Sequence, residues 1–137
     1  MEHNIIIKQG IGDLHFDMPV EEAVALLGQA DSVENIDNAD DESTTVLCYE
    51  DEGLTLFFEG ENPRLQCIDV CDEEATMLGE NIFDLNEQEI VKLMVSHHFC
   101  EQDIEDELWG ERRISFGEAN VDFFFEDDTL LSVSIGK

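Results

Sequence analysis

Leu54-Thr55-Leu56-Phe57-Phe58-Glu59 and Val121-Asp122-Phe123-Phe124-Phe125-Glu126 are two versions of one stretch, the second beginning 67 residues after the first. The likeness extends outward from them without a gap. At the same offset Gly12 meets Gly79, Phe16-Asp17 meets Phe83-Asp84, and Glu22, Val24 and Leu26 meet Glu89, Val91 and Leu93. Self-similarity at a fixed period reads as one supersecondary unit used twice. The chain is therefore expected to be a single domain, 1–137, made of a first repeat over 1–70 and a second over 71–137.

Within each repeat the apolar period changes from helical to extended. Val20, Ala23, Val24 and Leu27 recur at i, i+3, i+4 and i+7, with Pro19 at the first turn and Gly28 just past the last apolar residue. The matching helix carries Ile90, Val91, Leu93 and Met94, and Asn86-Glu87-Gln88-Glu89 has capping-box spacing. Three strands are expected after each helix: Thr44 to Glu50, Leu54 to Glu59 and Leu65 to Val70, then Arg112 to Gly117, Val121 to Glu126 and Leu130 to Ile135. Alternation puts Leu47, Tyr49, Leu54, Leu56, Phe58, Ile68 and Val70 on one face, and Ile114, Phe116, Val121, Phe123, Phe125, Val133 and Ile135 repeat that face. Short turns join them, at Asp51-Glu52-Gly53 and Gly60-Glu61-Asn62-Pro63 in the first repeat and at Glu118-Ala119-Asn120 and Asp127-Asp128, two residues shorter, in the second. His3 to Lys8, β-branched and halted by Gln9-Gly10, reads as a strand ahead of the first helix. The expected class is α+β: two tandem repeats, each an amphipathic helix packed on its own antiparallel sheet. Between helix and strands lie acidic connections, Gln29 to Ser43 and Ser96 to Gly110, of a length that usually signals function or a short helix.

A strand, a helix ending in Leu26-Leu27-Gly28, a variable loop and a meander with a Leu-x-Leu-x-Phe central strand resemble one repeat of the β-lactamase-inhibitor-protein fold. The segment Ile11-Gly12 through Met18-Pro19-Val20-Glu21-Glu22-Ala23-Val24 to Leu27-Gly28 is also similar to one in small bacterial immunity-type proteins and in lipoprotein assembly factors. The resemblance covers nearly the whole chain and implies a tandem-repeat fold and an inhibitor-like role. It rests on core residues, so it speaks to fold more than to function.

The formal charge of −29, from 35 acidic against 6 basic residues, narrows the partners. No Lys or Arg occurs from Gln9 through Pro63. Such a surface repels nucleic acid and anionic membranes and attracts basic proteins. No apolar run approaches a membrane span and Met1-Glu2-His3-Asn4 lacks a basic leader, so a cytoplasmic location with reduced cysteines is expected.

No motif names a reaction, and no enzyme, metal or cofactor is expected. Asp37 to Glu42 departs from calcium-loop spacing, with Ala39 at the third position and Glu42 where Gly belongs. His97-His98-Phe99-Cys100 is a tight cluster of soft ligands without a second half, and Cys67 and Cys71 lie four apart on a strand rather than in a redox pair. Phe57 and Phe124 are more informative, because alternation turns both away from the helix-facing side, beside Thr55, Glu59, Asp122 and Glu126. Either the two sheets pair edge to edge or a loop covers them, or they anchor a partner. The expectation is a non-enzymatic binder of a basic protein, an immunity protein being its concrete form, contacting it through Asp40, Asp41, Glu42, Glu105, Asp106 and Glu107 with Phe57, Phe124 and Trp109 as anchors. The alternatives are a mimic of nucleic acid and an unspecialised acidic homo-oligomer.

Overall fold

Thirteen strands and two α-helices form the described part of the chain, which in this computed structural model is residues 3–37, 43–60, 62–106 and 111–137. Strands hold 49% of these residues and helices 17%, which overturns the expected α+β class of two helix-on-sheet repeats. The strands fall into one small five-stranded sheet and one sheet of eight strands shared by both halves.

The small sheet comes from β1 (Asn4–Ile6), β2 (Gly10–Ile11), β3 (Leu14–His15), β8 (Thr76–Met77) and β9 (Glu80–Asn81). Its order is β3-β2-β1-β8-β9, and β1 lies parallel to β8. Gly10 to His15, just ahead of the first helix, thus form part of two short hairpins. Gly10 sits at φ 147°, and a Cβ there would meet the Leu14 carbonyl oxygen at 1.9 Å, so the first of these turns admits glycine alone.

The first helix, α1, spans Val20–Leu27 and stops at Gly28, whose φ of 85° is left-handed. The second, α2, spans Glu87–Ser96 and begins with the expected capping box: the Asn86 side chain accepts from the Glu89 amide at 2.9 Å while the Glu89 carboxylate accepts from the Asn86 amide at 3.1 Å. Ala23 on α1 and Ile90 and Met94 on α2 join a single apolar cluster with the inward residues of both sheets.

In the large sheet the order is β10 (Asp103–Asp106), β11 (Glu111–Phe116), β12 (Val121–Glu126), β13 (Thr129–Gly136), β7 (Arg64–Val70), β6 (Leu54–Glu59), β5 (Ser43–Tyr49) and β4 (Ser32–Asp37). All its pairings are antiparallel. The junction that makes one sheet of two meanders is β7 against β13, with Ile68 opposite Ile135, Asp69 opposite Ser134, and Val70 opposite Val133. Left apart, each meander would expose a long bare edge and the flanks of these apolar residues; pairing removes both. The described parts of the acidic connections hold strands, β4 and β10.

Both halves carry an irregularity at the same place. Phe57 pairs with Cys67 and Phe58 with Leu65, leaving Gln66 over; Phe124 pairs with Ser132 and Phe125 with Leu130, leaving Leu131 over. Each is a bulge that sharpens the local twist next to an aromatic pair. The C-terminus is tied back to the first half by Lys137 Nζ, 2.7 Å from Asp17 Oδ2. Hydrogen bonds from Lys137 and then Gln66 hold the Asp17 carboxyl below its usual range.

Candidate interaction surface

One face of the eight-stranded sheet is packed under the helices; the other is open among the described residues. Register places on the open face the side chains that alternate with the core. Along one row run Cys48, Thr55, Asp69, Ser134, Asp122 and Ser115, each directly across from the next. Phe57 lies between Val46 and Cys67, and Phe124 between Ser132 and Arg113. Both phenylalanines are half-buried, whereas Phe58, Phe123 and Phe125 next to them belong to the core. Edge-to-edge pairing of the two halves therefore occurs, yet it does not take Phe57 or Phe124 into the core.

Between the two aromatics the centre of the face is acidic. Burial pushes the Asp69 carboxyl up; a hydrogen bond from Ser134 works against that, and the nearby Asp122 charge adds to it. The Cys67 sulfur lies 3.4 Å from the Ser134 hydroxyl, and burial raises its thiol above the usual range, with Asp69, Asp122 and Glu59 contributing. Cys71 is raised for the same leading reason, then by Asp69 and Cys48. Depressed acidity keeps both as thiols, Cys67 partly buried and Cys71 exposed.

The expected partner residues divide three ways. Phe57 and Phe124 share the open face. Glu105 and Asp106 lie on β10 and are already matched across the strand pair: Glu105 is ion-paired with Arg113, and Asp106 Oδ1 is 3.5 Å from Arg112 Nε, which also reaches Glu87 at 3.2 Å. Each thus has a cation across the strand pair, and both side chains remain more than half exposed. Asp40, Asp41, Glu42, Glu107 and Trp109 lie outside the described residues, as does most of the calcium-like stretch.

His97 of the soft-ligand cluster caps α2, its Nδ1 being 3.0 Å from the Leu93 carbonyl. Among the described residues no three His, Cys, Asp or Glu side chains are grouped to hold a metal ion.

A polar cluster without any sequence signal does form elsewhere. His3 is 8% exposed, with Nδ1 at 2.5 Å from Asp72 Oδ2 and Nε2 at 3.0 Å from Glu52 Oε2. It clamps the start of the chain to the turns that follow β5 and β7. The contributing residues are 49 and 69 positions from His3, so no local pattern could announce it.

No family model, curated protein or solved structure matches the chain.

Proposed function

We propose that this chain is a non-enzymatic, cytoplasmic binding protein that captures and neutralises a basic protein, in the manner of an immunity protein. The observation that carries the reading is the open sheet face. Two half-buried phenylalanines at equivalent positions of β6 and β12 flank a strip centred on Asp69 and Asp122. Aromatic anchors ringed by charge are the usual composition of an interface core. The long-range field points the same way. Six cations stand against 35 carboxylates, and the net charge is −29.

In such a complex, charge sets the association rate and selectivity, while the desolvated aromatics set the lifetime. Affinity capture from the native host at low and at high salt provides the partner. The expected result is a basic protein whose association slows with salt. Phe57→Ala and Phe124→Ala then speed dissociation, at a cost of about 2 kcal/mol or more for a hot spot. Recovery of no basic protein at low salt refutes the reading, and unchanged dissociation in both variants refutes the assignment of the face.

A further inference from the structure

The eight-stranded sheet ends in two edges, and they are not alike. At one end, β10 is four residues long, and its Glu105 and Asp106 are matched by Arg113 and Arg112 of the neighbouring β11. At the other, β4 is six residues long and pairs without interruption from Ser32 opposite Cys48 to Asp37 opposite Ser43. Its neighbour β5, Ser43-Thr44-Thr45-Val46-Leu47-Cys48-Tyr49, has no charged side chain. Among the described residues Glu34 has no cation paired with it, and Asp31 and Glu50 add negative charge at the start of the strand.

The backbone on the far side of β4 has no strand partner among the described residues. In an antiparallel edge strand alternate residues turn both N–H and C=O outward, so about three residues of β4 present a ready ladder. Natural edges are usually blunted by brevity, lysine, proline or a bulge; β4 has none of these. It instead shows apolar side chains on both faces: Val33, 59% exposed, on the helix side, and Ile36, 43% exposed, on the open side that also carries Val46 and Phe57.

We propose that β4 is a strand-addition site for an extended basic segment of a partner protein, with Val33 receiving its apolar side chains on the helix side and Glu34 its lysine or arginine on the open side. The proposal rests on the reading of the chain as a binder of basic protein but locates the contact on the sheet edge. Charge argues against a second copy as the occupant. Two chains of −29 each repel, and β4 carries Glu34 but no cation to offset that repulsion.

The test uses the full chain and a synthetic eight-residue peptide alternating lysine with valine, with amide chemical shifts as the readout. At low salt the shifts are expected to concentrate on Ser32–Asp37, and the outward amides of β4 to gain protection from exchange. A peptide N-methylated at alternate positions, which keeps the charge and loses one row of donors, is expected not to bind. Glu34→Lys, an exposed change that leaves the core intact, is expected to weaken the unmodified peptide about two- to fivefold. Equal binding of the N-methylated peptide, absence of binding at low salt, or self-association through β4 in the absence of peptide each overturns the proposal. Shifts confined to Phe57, Phe124 and their neighbours also overturn it while leaving the sheet-face reading intact.

Discussion

Phe57 and Phe58 are the same residue type, adjacent on one strand, and differ only in the face they occupy. Phe58 is fully buried in the shared core, whereas Phe57 is half-buried on the open face. Truncating Phe58 to Ala removes the whole transfer term and leaves an enclosed void, at about 3–5 kcal/mol. Truncating Phe57 forfeits only part of the transfer term and leaves a dent open to water, at about 1–2 kcal/mol. Phe125 and Phe124 repeat the contrast in the second half, since Phe125 is in the core and Phe124 is not. For a chain whose total stability is on the order of 5–15 kcal/mol, the inward variants lose a large share and the outward variants a small one. Urea unfolding followed by circular dichroism measures it: with a slope of about 2 kcal/mol per molar, Phe58→Ala lowers the midpoint by roughly 2 M and Phe57→Ala by less than about 1 M. If Phe57→Ala costs as much as Phe58→Ala, the open face is covered in the folded chain and the anchor argument collapses.

Other outcomes test the electrostatics. Burial raises the Asp69 pKa above its unfolded value, so its ionised form costs stability above the folded pKa, and the cost is relieved as pH falls through it. Asp69→Asn is therefore expected to raise the melting temperature at neutral pH, with the gain fading on acidification; a loss at neutral pH contradicts the assigned burial. Added salt is expected to raise the melting temperature of the parent chain by screening its −29 charge, and a melting temperature indifferent to salt shows that the charges are already paired or dispersed. His3→Ala removes contacts to two carboxylates and is expected to cost about 1.5–3 kcal/mol in urea unfolding, whereas a neutral result makes the clamp incidental.

Much of the local structure was legible because its signals are local. The α1 face recurs at Val20, Ala23, Val24 and Leu27, and the capping box at Asn86 and Glu89 is a three-residue relation. The six strands rich in apolar alternation lie where period 2 puts them. The strands β4 and β10 were hidden because their composition is acidic. Each is an edge strand among the described residues, and Val33, Ile36 and Ile104 stay exposed and leave only a faint apolar pattern. The ion pairing of Glu105 and Asp106 was hidden for a related reason. Their cations are close in sequence, but the pairing follows from the register of β10 on β11 and not from helical or turn spacing.

The class itself was misread at one seam. A repeated sequence states that two halves fold alike, and it is silent on which edges meet, because strand pairing is made by backbone groups that every residue carries. Here the junction is centred on Asp69 opposite Ser134, with Ile68–Ile135 and Val70–Val133 flanking it on the core side. These positions correspond to one another at an offset of 65, the offset left once the two-residue-shorter turn at Asp127-Asp128 has been passed, so the seam lies on an approximate two-fold axis. Near-identical edges are self-complementary in antiparallel pairing, and that favours one continuous sheet over two separate ones. The same axis sets Phe57 and Phe124 on opposite sides of the Asp69 and Asp122 strip, so the symmetry that merges the sheets also composes the open face. A carboxylate whose pKa is raised by burial is retained at the axis where its counterpart Ser134 is neutral, a cost with no evident return for the fold alone. On the binding role proposed above, that cost is recovered when a cation of the partner meets the carboxylate, and Asp69→Asn separates the two effects: stability rises while capture of a basic partner weakens. Stability and capture rising together would refute that division.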